Sequence, residues 1–248
     1  MGEGNAIHEL NVERWAFWSP ESPHPAIWRT HWTSPAPVPS SAAAPDDAIP
    51  AGQRRRMSSL TRLAVQIAIE AADDCKPDFL IFGSQHGDLT RLREMLSDIS
   101  SGAELSPTTF SQSVHNASAG LFTIISGSTA PMSALAAGRG TFVAGWLEAE
   151  GFLVAHPKAR VLLVTYDEPL PTEYASYCSQ APCAYAVGLL LRHSAGKPGV
   201  VLRAAQAQHE DRDPLPLAPS FLAWLLSRDT SLHASADGQG WTWTRAAA

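Results

Sequence analysis

Six groups of residues in this chain are of types that could do chemistry. His86 sits beside Gly87 and Asp88, directly after an apolar run, where a catalytic base is conceivable. The competing reading is a histidine hydrogen-bonded at a strand-to-helix turn, with Asp88 or Thr90 capping the helix that follows. His115-Asn116 could orient a substrate carbonyl or could serve as a buried structural hydrogen-bonding pair. Asp167-Glu168 is a carboxylate doublet, but adjacent residues of an extended chain point to opposite faces. A shared acid/base site is therefore not expected there, and Pro169 and Pro171 favour a rigid turn. Cys178 and Cys183, with four residues between them, lack the spacing and the histidine pair of a zinc knuckle, so no metal is expected. Ser84 and Ser118 lack the Gly-x-Ser-x-Gly surroundings of a hydrolase nucleophile. Gly138-Arg139-Gly140 lacks the length and the lysine of a phosphate-binding loop. None of these groups makes a catalytic site by itself, and no cofactor motif is present.

The elements that must position them follow from periodicity. Phe79–Gly83, Val161–Thr165, Tyr185–Leu191 and Val200–Ala205 are short continuous apolar runs, as suits strands buried on both faces. Leu60, Leu63, Ala64, Ile67, Ala68 and Ala71 form one helical stripe over residues 58–74. Arg54–Arg56 before it and Asp73-Asp74 at its end run against the helix dipole. Leu89–Ser100 reads as a second helix, Ala218–Ser227 as a short amphipathic one, Val12–Trp18 as an opening strand and Trp241–Trp243 as a closing one. Helices alternating with apolar strands predict an α/β chain with a mixed sheet covered on both sides. Four of the eight tryptophans, Trp15, Trp18, Trp28 and Trp32, open the chain, followed by Pro35, Pro37, Pro39, Pro45 and Pro50. Proline at that density forbids regular helix, so residues 1–57 read as a strand and a wrapping segment, and residues 58–248 as one domain.

Composition narrows the function classes. Across 248 residues, 45% are hydrophobic and 17% charged, against about 25% charged in ordinary soluble domains. The net charge of −6, with no basic face beyond Arg54–Arg56, argues against nucleic acid as a partner. No apolar run approaches the roughly 20 residues of a membrane span. Met1-Gly2-Glu3-Gly4 lacks the basic and apolar regions of a secretory signal, so a cytoplasmic location is expected. Three cysteines are too few for a disulfide framework.

The stretch Pro107 to Glu168 is the most specific. Pro107-Thr108-Thr109-Phe110 leads through Ser111-Gln112-Ser113-Val114-His115-Asn116-Ala117-Ser118-Ala119-Gly120 into Leu121–Gly127, then Ala130-Pro131, Ser133–Gly140, a helix through Trp146–Phe152 and the strand Val161–Thr165. This order resembles the N-terminal half of the β-ketoacyl synthases, over roughly residues 58–192. Asn116, Ala119 and Gly120 fall on the family's Asn-x-x-Ala-Gly helix, and Ala130-Pro131 on the Gly-Pro that starts its nucleophile strand. The resemblance implies half of a thiolase-like fold, expected with a five-stranded mixed sheet. At the family's spacing the nucleophilic cysteine is replaced by Arg139, or by Gly138 if the count slips by one. Neither can form a thioester.

Phe82-Gly83-Ser84-Gln85-His86-Gly87-Asp88, Leu105-Ser106-Pro107-Thr108 and Tyr166-Asp167-Glu168-Pro169 are similar to a narrower group, the ketosynthase-like chain-length factors of bacterial type II systems, notably those of aryl polyene clusters. That similarity implies a non-catalytic subunit paired with an active β-ketoacyl-ACP synthase, meeting acyl carrier protein through the complex. It implies an interface around Val114–Ala137, with Val114, His115, Asn116, Ala117, Ser118, Phe122 and Arg139 bordering the acyl tunnel. Two alternatives stay open: a stand-alone acyl-binding or scaffold homodimer, and an acyl-transfer or hydrolytic enzyme using His86 or His115.

Overall fold

A computed structural model describes residues 9–20, 44–178, 183–194, 199–205 and 215–245. Trp28, Trp32, Pro35, Pro37 and Pro39 lie outside them. The chain runs from β1 (Leu10–Trp18) through α1 (Ala51–Arg54) and α2 (Ser59–Ala72) into β2 (Phe79–Gly83). Three helices follow, α3 (Leu89–Ser101), α4 (Pro107–Ser111) and α5 (Ala117–Ser126), then β3 (Met132–Leu135) and α6 (Thr141–Ala155). Next come β4 (Arg160–Asp167), a 3-10 turn at Thr172–Tyr177, β5 (Tyr185–His193) and β6 (Val200–Ala205). The chain closes with α7 (Leu217–Leu225), β7 (Ser231–Ala236) and β8 (Gln239–Arg245).

All the strands join one sheet in the order β3-β2-β4-β5-β1-β6-β8-β7. Strand β2 runs parallel to β3 and β4, and β5 turns antiparallel against β4. Strand β1 lies along β5 but meets β6 only at Leu10 and Val200. Among the described residues the sheet thus has eight strands, not the expected five. Two non-local events account for the difference. The opening strand inserts beside β5, and a hairpin of β7 and β8 extends the sheet beyond β6. That hairpin turns on Asp237 and Gly238, both at positive φ (50° and 80°), the Asp-Gly pair that favours tight hairpins.

Each buried strand feeds two layers by alternation. Leu80, Phe82, Leu162, Val164 and Tyr166 pack with Leu63, Ile67 and Ala68 of α2 and Phe122 of α5. Ile81, Val161, Leu163 and Val187 face the other way, onto Phe142, Trp146 and Leu153 of α6. Helix α2 begins where the Ser58 hydroxyl accepts the Thr61 N–H at 3.1 Å. It approaches β5 closely: a Cβ on Gly188 would stand 2.8 Å from Ala71 Cβ and 3.0 Å from the Ile67 carbonyl oxygen. The charges that oppose its dipole are paired off it. Arg54 and Arg62 meet Asp46 at 2.8 and 3.2 Å, and Arg14 meets Asp73 at 3.0 Å. Hydrogen bonding from Arg54 holds the Asp46 carboxyl below its ordinary value.

Part of the outer face of α6 is covered by the chain itself, while Leu147 and Val154 stay exposed. Phe221 of α7 stacks at 5.0 Å from Phe142 and 5.1 Å from Trp146, and Trp243 of β8 lies 6.0 Å from Phe142. The C-terminal segment therefore shields a surface that half a thiolase-like fold would otherwise expose.

Candidate functional site

The carboxyl end of β2 is fixed by one buried acid. Asp167, the last residue of β4, accepts from Ser84 Oγ at 2.8 Å, from the Gln85 and His86 N–H groups at 2.9 and 3.3 Å, and from the Tyr185 hydroxyl at 3.0 Å. Burial pushes its carboxyl above the ordinary range, opposed by those bonds, and pushes the Tyr185 phenol well up. Glu168 keeps separate partners, Ser59 Oγ at 3.4 Å and Thr90, and burial raises it too. The doublet therefore divides its partners as adjacent residues of a strand must, and no single proton is shared.

Both candidate histidines flank this turn. His115 Nε2 donates to the Ser84 carbonyl oxygen at 2.9 Å, which locks it as a strut between α5 and the end of β2. His86 differs. Its backbone is held by Asp167, but its Nε2 is buried without a hydrogen-bond partner among the described residues. Asp88 caps α3 by accepting the Arg91 N–H at 3.1 Å, and Arg91 reaches Gln112 at 2.9 Å. Burying His86 while leaving its ring nitrogen unmet is the feature that sequence reasoning missed.

A second constellation lies where β3 passes into α6. Residues Ala137 to Gly140 form a tight turn in which Thr141 Oγ1 donates to the Gly138 carbonyl oxygen at 2.7 Å and accepts the Ala137 N–H at 3.0 Å. Gly138 has φ +52°, and a Cβ there would lie 2.9 Å from Asp237 Oδ2. Helix α6 has no side-chain cap of its own at Gly140. Asp237, at the tip of the β7–β8 hairpin, supplies one, accepting the Gly140 N–H at 3.2 Å. The positive end of a 15-residue helix thus faces a carboxylate of the same chain. Arg139 is half-buried in this turn and has an interaction partner of its own.

The remaining expected residues surround α5. Val114 is 51% exposed and Asn116 is exposed, with Ala117 half-buried. Ser118 and Phe122 turn inward: Ser118 is hydrogen-bonded to Tyr166, and Phe122 packs 5.9 Å from Phe82. The outer side of α5 carries Ile124, 66% exposed, beside the edge strand β3, whose Met132 is also open. Nearby, Leu92, Leu96 and Ile99 of α3 and Phe110 of α4 add exposed apolar surface. Among the described residues, no cluster of His, Cys, Asp or Glu is placed to hold a metal, and Cys75, Cys178 and Cys183 form no disulfide. No described helix is long and apolar enough to cross a membrane.

The β2–β3–β4 core with a strand–turn–helix at α6 is matched by a family model for the β-ketoacyl synthase N-terminal domain over residues 28–244. The chain belongs to this family. No curated protein matches the sequence. Among solved structures, it is similar to a chain of the ketosynthase (ApeO) in complex with its chain length factor (ApeC) from Xenorhabdus doucetiae, at 27% identity and TM-score 0.80, covering 96% of this chain and 99% of that one. The ishigamide ketosynthase/chain length factor matches at 13% identity and TM-score 0.68 over 96% and 99% of the two chains. A type II polyketide acyl-carrier protein complex with its ketosynthase (AntDE:AntF) matches at 11% and TM-score 0.64 over 98% and 100%. These last two likenesses concern the fold, a thiolase-like ketosynthase fold. In this member of the ketosynthase family, the turn that opens α6 holds Gly138 and Arg139 and contains no thiol.

Proposed function

We propose that the chain is a non-catalytic chain-length-factor subunit that pairs with an active β-ketoacyl-ACP synthase and shapes its acyl tunnel. The observation that carries this reading is the β3–α6 turn. A condensing family member needs a thiolate at that helix N-terminus, whereas here Arg139 stands in the turn and the Asp237 carboxylate faces the helix end. A carboxylate beside that position disfavours any second anion. The likeness to the ApeO–ApeC complex supports a ketosynthase as partner. Support for its location comes from β3, an edge strand with unpaired backbone groups, flanked by exposed Ile124, Met132 and Val114. Such an edge is a template for strand pairing with a second chain.

The mechanism is steric and needs no cofactor. Tunnel depth sets how many two-carbon extensions fit, and small residues such as Ala117 leave room for the acyl chain. Carrier protein would reach the complex through the catalytic partner, in the cytoplasm, within aryl polyene or related type II polyketide or fatty acid synthesis. The test is reconstitution with a β-ketoacyl-ACP synthase of a type II system. Ala117→Phe should shorten the products seen by mass spectrometry while condensation continues, because bulk removes volume and leaves the partner's chemistry intact. Unchanged products from a well-folded variant complex would place Ala117 away from the tunnel.

A further inference from the structure

Two of the three cysteines border one cavity of about 200 Å³, at the carboxyl ends of β2 and β4. Cys178 ends the 3-10 turn after β4 with an extended backbone (φ −117°, ψ 123°) and is half-buried. Cys183 stands two residues before β5 and is 4% exposed. Four residues separate them, and both lie near enough to the Tyr185 hydroxyl to add to the burial that pushes it up. The third cysteine is elsewhere. Cys75 borders a different hollow at the amino end of β4, beside Arg14 and Arg160, and burial pushes its thiol up. A half-buried thiol and a buried one on the same small cavity have a chemistry that a lone thiol lacks, because the second can resolve what the first takes up.

We propose that Cys178 and Cys183 are a reversible modification site, a dithiol that closes to a disulfide under an oxidising thiol poise and reopens under a reducing one. The co-reactant is a small disulfide, with oxidised glutathione as the probe. The Cys178 thiol loses its proton and its sulfur attacks one glutathione sulfur. That S–S bond breaks, and the first glutathione leaves with the electron pair and takes up the proton. The Cys183 thiol then loses its proton and attacks the Cys178 sulfur, and the second glutathione leaves as a thiol in the same way. Two protein thiols are oxidised and one small disulfide is reduced to two thiols. Exposure sets the order, because Cys183 is closed to a reagent of that size while Cys178 is partly open. Spacing permits the bridge, since a chain with four intervening residues readily brings its ends to the roughly 4.4–6.8 Å between Cα atoms that a disulfide needs. The bridge ties the turn after β4 to the entrance of β5, beside the bond between Asp167 and Tyr185. It belongs to this chain's own residues and does not depend on a condensing partner.

The test equilibrates the full chain carrying Cys75→Ser, folded by circular dichroism and in whatever assembly it purifies, with glutathione buffers from reducing to oxidising. Remaining thiols are alkylated, and intact and peptide masses are read. Oxidation should remove two hydrogens, leave no glutathione attached and protect Cys178 and Cys183 from alkylation together, and dithiothreitol should restore both thiols. Adding Cys183→Ser should trap glutathione on Cys178, and adding Cys178→Ser instead should leave Cys183 unmodified. The Cys75→Ser chain decides by itself. Glutathione held on Cys178 while Cys183 is present, or both thiols alkylated across every buffer, would overturn the pair. Glutathione on Cys183 in the Cys178→Ser chain would overturn the order of attack.

Discussion

Helices α5 and α6 are both strongly apolar, yet the chain treats them differently. Phe142, Trp146 and Leu153 of α6 are no more than 2% exposed, held between the sheet on one side and Phe221 and Trp243 on the other. In α5, Ala119 and Phe122 are buried against the sheet, while Ile124 stands open beside the edge strand β3. The difference teaches which surface the sequence completes by itself. Residues 215–245 give α6 its second layer, and no described residue does the same for α5 and β3. An apolar helix with an open face, next to an edge strand, is the form of a surface that another chain covers.

The comparison breaks most readily at Trp146. Trp146→Ala should cost about 3–5 kcal/mol in urea unfolding, because the surrounding rings cannot collapse onto the space. Ile124→Ser should stay within about 0.5 kcal/mol, as exposed sites do. Equal losses would mean that α5 is finished in the same way as α6.

Asp167 gives the next largest effect. Asp167→Ala strands two backbone N–H groups and two hydroxyls at the end of β2 and should cost on the order of 3 kcal/mol. Asp167→Asn keeps oxygen for three of the donors and presents an amide to Tyr185, and it does not titrate. Because burial raises the Asp167 carboxyl in the folded state, its contribution is full in acid and is lost as pH rises through the folded value. The stability of wild type minus that of the Asn variant should therefore fall as pH rises above the ordinary carboxylate value. A difference that grew with pH would show a carboxylate stabilised rather than strained by its surroundings.

The smallest effect concerns the turn before α6. Arg139→Cys should not create condensation in the isolated chain, since the Asp237 carboxylate beside the turn disfavours a thiolate there. Beside Asp237, its thiol should alkylate slowly at neutral pH. Adding Asp237→Asn should speed alkylation severalfold by removing the neighbouring anion. An unchanged rate would show that the hairpin carboxylate does not govern this turn, and turnover by the Cys variant would contradict a non-catalytic role.

Much of the fold was legible because burial on both faces leaves a continuous apolar run. Phe79–Gly83 and Val200–Ala205 are the strands β2 and β6 to the residue, and β5 runs two residues beyond Leu191. The helix expected over 58–74 ends at Ala72, where Asp73 takes a positive φ. The closing strand expected at Trp241–Trp243 lies within β8, whereas its hairpin partner β7 was missed although its signal was present. Leu232, Ala234 and Ala236 alternate before Asp237-Gly238, and Trp241 and Trp243 alternate after it. The insertion of β1 between β5 and β6 left no local signal, because pairing partners 168 or more residues apart share no periodicity. For the same reason the Gly138–Gly140 turn could be located in the sequence, while the carboxylate that caps it, 97 residues onward, could not. The turn around His86 was readable from its place after an apolar run. The buried, unmet nitrogen was not, since it depends on what packs around the ring.

The central claim, that the open face of α5 and β3 belongs to a catalytic ketosynthase, is tested most directly by native mass spectrometry. The chain would be co-expressed with a type II β-ketoacyl-ACP synthase, as wild type and as Ile124→Ser/Met132→Ser. Wild type should give a 1:1 heterodimer that the double variant, folded as judged by circular dichroism, forms much more weakly. A monodisperse monomer indifferent to the ketosynthase, or a heterodimer untouched by the double variant, would contradict it.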